Sequence, residues 1–332
     1  MRGMAKDVVR LDGNTLVMPG EVRVRFVRTL RLPEQGTHPL PPGLGDFPVR
    51  MVSDYADTVP EEWRKRGGVL LPMYLREAMW LSFSAAETAA LQVGVGKVCA
   101  VSGRPWTDKL SQDPQNYVVL PDQPWLDGIN SGEGTIRQFV AVPLGLGATV
   151  EGQVTGAEVW GGIQLQNFAA KHPVPARATS YSGYDAGYGG MQGGYGGPPA
   201  PAPGSANAMG LGVGGTMRQE IYKDSRALSE WKAKPAGRVF VHLVTPPDWR
   251  RITGEEPPAS PVSRASYTQA GLPWYDYYDA DGTDLQPAQP LQDVVPVGDW
   301  LGQDHDPWHP VAHDQTVVLN DPRGRPVQDG DW

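Results

Sequence analysis

Short runs of β-branched and aromatic residues recur along the first 179 residues and are separated by glycine, proline, asparagine or aspartate. In EVRVRFVRTLRL, apolar Val22 and Val24 alternate with Arg23, the two-residue period of a half-buried strand. The runs TIRQFVAVPL and EVWGGIQLQNF continue the series, and VLLPMYLREAMWLSF suggests two strands joined by a turn near Arg76 and Glu77. Short strands at this spacing are typical of sandwiches and barrels. We therefore expect a mainly β fold, with a sandwich- or barrel-like body and a few short helices.

The composition changes abruptly between residues 180 and 214. Four tyrosines are spaced through glycine there, followed by a stretch rich in proline and alanine. This composition buries too little apolar surface to offset its ordering entropy, which predicts a flexible linker. The predicted organisation is an N-terminal extension (1–20), a β-rich domain (21–179), the Gly/Tyr/Pro-rich linker (180–214), a small α+β segment, independent or docked on the first domain (215–300), and an irregular C-terminal tail (301–332).

Charge and cysteine content limit the partners and the compartment. The formal net charge is −8, and no run of lysine or arginine stands out, so the chain repels a phosphate backbone and we expect no nucleic-acid partner. No window approaches the ~20 apolar residues that cross a bilayer. Cys99 is the only cysteine, which excludes an intrachain disulfide and a thiolate metal cluster. We expect a cytoplasmic protein without a membrane span, and the excess of arginine over lysine suggests a GC-rich bacterial genome.

Common catalytic and cofactor motifs are missing or stand in the wrong context. Gly210, Gly212 and Gly215 have the spacing of a dinucleotide-binding loop, but the linker precedes them and no strong helix follows. There is no G-x-S-x-G elbow, and Cys99 and His242 lie in apolar runs where a buried structural role is expected. We therefore expect no cofactor.

The best metal-ligand candidates are three histidines near the end of the sequence. His305, His309 and His313 are spaced four residues apart, as on one helix face. Pro307 and Pro310 would break that helix, which favours a solvated tail over a metal site.

The aromatic residues suggest a binding surface. Eleven Trp and twelve Tyr stand against six Phe, a preference for rings with a polar group that suit partly wet sites. Trp125 beside Asp127 could stack on a sugar while the carboxylate accepts its hydroxyl hydrogens, or Trp125 could close the end of a β core. Both interpretations stay open, and Trp160, near a strand end, is a further binding candidate.

A short sequence is repeated across the linker. GTIRQ at residues 134–138 returns as GTMRQ at residues 215–219. We interpret the first copy as a glycine turn that leads into a buried strand. The second copy could begin an equivalent strand or be a coincidence, which its short length favours. If it begins a strand, Arg218 and Gln219 should lie beside Arg137 and Gln138 or on an equivalent edge. Under the binding hypothesis, the edge with these four residues is our first choice of binding surface.

Several blocks resemble those of an uncharacterised protein family of bacteria and some fungi. They are FVRTLRLP, LPPGLGDFP, RGGVLLPMY, QPWLDGI, IRQFVAVPLG, TVEGQVTG, MGLGVGGTMRQEIYKD, RVFVHLV, ITGEEPP and GLPWYDYYD, which span most of residues 21–285. The resemblance implies a shared fold and no particular activity.

Two functional hypotheses follow. The first is a non-enzymatic binding or assembly protein with an aromatic recognition surface, acting on a protein partner or by self-association. The second is a carbohydrate-active enzyme or other hydrolase, which needs two carboxylates ~5–9 Å apart in a Trp-lined cleft. The local candidates for those carboxylates are Asp122, Asp127, Glu133 and Glu151.

Overall fold

One connected, largely antiparallel β-sheet organises the protein, with a few short helices around it. The computed structural model describes residues 8–38, 40–41, 43–175, 208–258, 283–301, 325–326 and 328–332. The expectation of a mainly β fold is confirmed.

The strands are short, as the regular spacing of turn residues predicts. Those of the described residues are β1 (Arg10–Asp12), β2 (Thr15–Met18), β3 (Val22–Thr29), β4 (Thr37–His38), β5 (Gly43–Asp46), β6 (Arg50–Met51), β7 (Val69–Pro72), β8 (Ala78–Ser84), β9 (Ala89–Val95), β10 (Val98–Cys99), β11 (Val118–Leu120), β12 (Trp125–Leu126), β13 (Gly128–Gly132), β14 (Thr135–Pro143), β15 (Ile163–Ala169), β16 (Met209–Arg218), β17 (Gly237–Val244) and β18 (Arg325–Pro326).

The helices are single turns or little more. They are α1 (Glu61–Arg66), α2 (Val150–Thr155), α3 (Pro246–Thr253), α4 (Gln289–Gln292) and α5 (Val297–Leu301), with 3-10 turns at Val52–Tyr55 and Leu228–Glu230.

Burial alternates along the first half of β3 and along β8, whereas β9, β15 and most of β16 and β17 are buried on both faces. In β3 the side chains of Val22, Val24 and Phe26 are fully buried, while Arg23 and Arg25 reach carboxylates at the surface. The turn predicted near Arg76 lies between β7 and β8. The main ladder runs β3–β8–β14–β16–β17–β15–β9, and β17 also pairs in parallel with β7.

The two copies of the repeated sequence pair with each other. In the β14–β16 ladder Ile136 stands opposite Met217, and Arg137 and Thr135 stand opposite Thr216 and Arg218. Each copy therefore begins or ends a strand of the same antiparallel pair, with the Ile136–Met217 pair at its centre. The second copy therefore lies in a strand, but it ends β16 and does not begin it, and Arg218 stands opposite Thr135 and not beside Arg137.

Element boundaries differ from the sequence-based ones at two places. β1 and β2 lie inside the predicted N-terminal extension and extend the sheet from β3. β16 begins at Met209, inside the predicted linker, and Leu211 and Val213 are buried in the main core. Glycine is frequent there because of close packing: a Cβ at Gly212 would lie 2.7 Å from the Ala148 carbonyl oxygen. Residues 180–207 of the predicted linker lie outside the described residues.

Buried glutamines hold irregular segments onto this sheet. Gln138 donates to the Leu30 carbonyl oxygen and accepts from the Leu32 amide, at 2.8 and 2.9 Å. This bonding to residues n and n+2 is the pattern that a residue of a parallel strand makes. Gln123 binds Glu220 and Tyr222 in the same way. The side-chain amide thus replaces a missing neighbouring strand.

The remaining members of this set have related contacts. Gln115 binds Tyr222 and Asp224, Gln153 binds Val295, Gln164 binds Gly161 and Lys97, and Gln219 binds Asp127. We call these four residues, together with Gln123 and Gln138, the glutamine clamps.

We predict that Gln138→Met lowers the free energy of unfolding by about 2–6 kcal/mol, because the Leu32 amide and the Leu30 carbonyl oxygen each lose a buried hydrogen bond at about 1–3 kcal/mol while the side-chain volume is conserved. Urea denaturation measures the change. The control is Gln35→Met at an exposed position, which should shift stability by no more than about 0.5 kcal/mol. Equal effects of the two substitutions would refute the clamp interpretation.

Candidate functional site

Three half-buried cationic side chains lie near two half-buried indoles and the buried Phe240 ring, and we call this set the cation–aromatic cluster. Its members are Arg66, Lys97, Arg238, Trp106, Trp160 and Phe240. The Lys97 ammonium lies 3.6 Å from the centre of the Trp160 ring, and the Arg66 guanidinium lies 4.8 Å from the same ring. Arg66 also lies 5.5 Å from the Phe240 ring. These distances are those of cation–π contacts.

A buried carboxylate positions Trp160. Glu151 in α2 is 3% exposed and accepts hydrogen bonds from the backbone amides of Val159, Trp160 and Gly161. These bonds fix the loop between α2 and β15, and Arg66 adds a 3.4 Å bond to the Trp160 carbonyl oxygen. Glu151, a predicted catalytic candidate, therefore orients the aromatic ring that the two cations contact.

The turn between β9 and β10 presents Lys97. Lys97 has a positive φ of 59°, and its backbone amide donates to the side-chain oxygen of Gln164 at 2.6 Å. The Lys97 carbonyl oxygen accepts from the Trp106 amide at 2.9 Å. Gly94 leaves room for the indole, because a Cβ there would lie 2.6 Å from the Trp106 ring. Backbone bonding thus fixes Lys97 and Trp106 relative to each other.

The cluster is electrostatically unbalanced. Burial, followed by repulsion from Arg66 and Arg238, lowers the pKa of Lys97 below its ordinary value. No ion pair to Lys97 occurs within the described ranges, and the nearest carboxylate of Arg66 is Glu62 at 4.0 Å. Although the net charge of the chain is −8, this cluster is locally positive and attracts negatively charged groups.

Residues 328–332, which we call the strap, lie across the cluster. Arg238 donates to the Asp329 carboxylate at 2.7 Å and to the Gly330 carbonyl oxygen at 3.2 Å. The Trp332 ring lies 4.9 Å from Arg238 and 5.5 Å from Lys97, and its Nε1–H donates to Asp329 at 2.8 Å. The strap therefore brings a carboxylate and an indole to the cationic groups together.

The strap also pairs with backbone beyond α1. Gly67 and Asp329 form an antiparallel bridge, the Gly68 amide donates to the Gln328 carbonyl oxygen at 2.5 Å, and the Asp331 amide donates to Lys65. A Cβ at Gly67 would lie 2.5 Å from the Gln328 oxygen. Glycine is needed there for two backbones to approach this closely.

The four predicted catalytic carboxylates occupy different environments. Asp122 is exposed and pairs with Arg226 at 3.6 Å, and Glu133 is an exposed turn residue with a φ of 54°. Asp127 and Glu151 are buried, and each binds its own partners. Asp122 and Glu133 therefore lie at the surface, whereas Asp127 and Glu151 lie inside the protein.

The remaining predicted binding residues are mostly inside the protein. Trp125 is 7% exposed and belongs to the main core, so its ring closes that core. Gln138 and Gln219 are buried glutamine clamps, and half-buried Arg137 donates to the Val294 carbonyl oxygen. Arg218 is exposed at the end of β16. Of the predicted binding residues, Trp160 alone belongs to the cation–aromatic cluster.

The remaining candidate functional groups include a buried histidine and possible metal ligands. His242 is buried, its Nε2–H donates to the Gly67 carbonyl oxygen at 3.0 Å, and its ring stacks on Trp63. The described ranges contain no group of three or more His, Cys, Asp or Glu residues able to hold a metal ion, and His305, His309 and His313 lie outside them. Within the same ranges no helix is long and apolar enough to cross a membrane.

No family model, curated protein or solved structure matches this chain. The site therefore has to be interpreted from its own geometry. Sequence reasoning missed Arg66, Lys97 and Arg238 because they come from α1, a turn and β17, and no local pattern joins them. The adjacent glycines at 67 and 68 were a usable signal, since paired glycines often mark close backbone approach.

The buried carboxyl group of Asp127 makes the stability of the folded protein depend on pH. Burial raises its pKa to about 7, offset in part by the hydrogen bond from Gln219. The folded protein therefore holds a proton on Asp127 that the unfolded chain loses above the ordinary aspartate pKa of 3.8. Stability from this group is present at low pH and is lost as pH rises toward 7. Burial lowers the pKa of His242 to about 3, compared with an ordinary value of 6.5. The contribution of His242 to stability therefore increases as pH rises from about 3 to 6.5, opposite to that of Asp127.

We predict that Asp127→Asn is increasingly more stable than wild type as pH rises from about 4 to 7, by about 1.4 kcal/mol per pH unit, with a constant difference above pH 7. Taking the difference between the two proteins cancels the His242 contribution. Urea denaturation at each pH gives the two curves. A difference independent of pH would show that Asp127 is ionised throughout this range.

Proposed function

We propose that this protein is a non-enzymatic binding protein that recognises an extended acidic peptide segment carrying an aromatic residue. The cation–aromatic cluster is the recognition surface. The observation that carries the proposal is the strap, in which Asp329 and Trp332 meet Arg238 and Lys97 while the backbone pairs with Gly67. The strap shows in this chain the chemistry that a partner segment would supply.

A peptide is favoured over a small molecule because recognition uses main-chain groups. The bridge at Gly67 and the amide of Gly68 bind backbone of any sequence, as in β-strand addition. Selectivity then comes from the side chains, with Arg238 binding a carboxylate and Lys97 contacting an aromatic ring. Both parts of this mode are supplied by rigid elements next to β17 and α1.

Binding is favoured over hydrolysis by the placement of the carboxylates. Asp127 and Glu151 are 3% exposed, which removes them from contact with a polymeric substrate. Glycoside hydrolysis needs two carboxyl groups on either side of the scissile bond. Because Cys99 is buried and is the sole cysteine, a reducing compartment suits the chain, and we place its binding activity in the cytoplasm.

The test is titration of a synthetic peptide, QDGDW, into full-length protein. Because the chain's own strap competes at a high effective concentration, Asp329→Asn/Trp332→Ala should bind the peptide at least about tenfold more tightly than wild type does. Adding Lys97→Gln and Arg238→Gln should weaken binding again by about tenfold or more, and salt should weaken it further. Isothermal titration calorimetry measures each affinity.

Two controls distinguish specific recognition from nonspecific binding. Trp300→Ala removes an indole that is 46% exposed and outside the cluster, and it should leave the wild-type affinity unchanged. The peptide QNGNW should bind the strap-weakened protein less tightly than QDGDW, because Arg238 loses its carboxylate partner. Absence of QDGDW binding to a folded Asp329→Asn/Trp332→Ala protein would refute the proposed function.

A further inference from the structure

We infer that a second copy of this chain is a partner of the cluster, through reciprocal exchange of β18 and the strap between two copies. The inference rests on the proposed function, since it needs the cluster to bind the strap as a peptide. It goes further by naming the donor of the segment. Each cluster in the exchanged dimer would hold Asp329 and Trp332 of the other copy.

The strap's attachments are independent of the chain that leads to it. Its partners are at residues 65–68, at Lys97 and Trp106, and at Arg238 and Phe240, all far away in sequence. β18 adds a two-residue pairing with β1. Every one of these contacts forms equally well with a strap from another copy, so the contacts themselves do not distinguish the two arrangements.

The connection is long enough for exchange. Residues 302–324 join α5 to β18, and a chain of that length spans up to roughly 75 Å when extended. A folded chain of this size has a radius of gyration of roughly 20 Å, hence a diameter of roughly 50 Å. The reach therefore extends past the surface of one copy to the cluster of a neighbour.

Exchange makes the contacts isologous, because each copy gives a strap and receives one. A closed two-fold dimer satisfies both clusters and leaves no strap free to recruit a third copy. At low protein concentration the strap closes on its own cluster, since the effective concentration of a tethered segment is of millimolar order. Wild-type dimer should therefore appear only as the protein concentration approaches that order.

Complementary variants remove this competition. The first is Lys97→Gln/Arg238→Gln, which keeps the strap but weakens the cluster. The second is Asp329→Asn/Trp332→Ala, which keeps the cluster but weakens the strap. Neither can form a good contact with itself, whereas a strap of the first fits the cluster of the second. Circular dichroism and thermal unfolding first confirm that both variants fold.

Sedimentation velocity, with the first variant labelled fluorescently, then gives the masses. We expect each variant alone to be monomeric and the mixture to form a heterodimer at concentrations where the peptide QDGDW binds the second variant, well below those at which wild type dimerises. Trp300→Ala should behave as wild type does. Dimers of either variant alone, or wild-type dimers that persist in both variants, would place self-association on another surface and overturn the inference.

The two proposals fail in different ways. If QDGDW binds the strap-weakened protein but the mixture stays monomeric, exchange is wrong and the binding function stands. If QDGDW does not bind a folded strap-weakened protein, the proposed function is wrong and the exchange inference falls with it.

Discussion

Buried glutamine amides join the irregular parts of this chain to its sheet. A backbone group without a partner in the interior costs about as much as a lost hydrogen bond, and the short strands leave many such groups beyond their ends. Gln115 and Gln123 bind carbonyl and amide groups of residues 220–224 on one side of that segment, and residues 283–285 pair with it through a β-bridge at Tyr222 and Asp284. The sheet can therefore carry long irregular segments and still satisfy its buried polar groups.

The same interaction positions the cation–aromatic cluster. Gln164 lies in β15, and its side chain binds the Lys97 amide on one side and the Gly161 carbonyl oxygen on the other. One buried amide thus links the turn that presents Lys97 to the loop that presents Trp160. Glu151 reinforces the second loop through three backbone amides. The buried side chains of Gln164 and Glu151 consequently hold the backbone of Lys97 and Trp160 in positions where their side chains make the cation–π contact.

The sequence predicted the strands well and the site poorly, for one physical reason. Strand formation follows from the local alternation of apolar residues at 22–29 and from a continuous apolar, β-branched run at 237–244, and a sequence displays both patterns directly. The clamps and the cluster depend on pairs such as Gln138 with Leu30, more than a hundred residues apart. Composition also misled at the start of β16, where glycines that looked like linker are required by close packing against residues such as Ala148. Of the predicted aromatic binding residues, Trp160 contacts two cations, whereas Trp125 lies in the core.

The position of the cations explains why the strap binds there despite the chain's overall negative charge. Arg66, Lys97 and Arg238 come from separate elements and repel one another. Burial, together with that repulsion, lowers the pKa of Lys97. A carboxylate brought in by Asp329 reduces the repulsion at Arg238, while an indole contacts Lys97 without forming an ion pair. The cluster therefore favours a segment that combines both groups over a segment that carries charge alone.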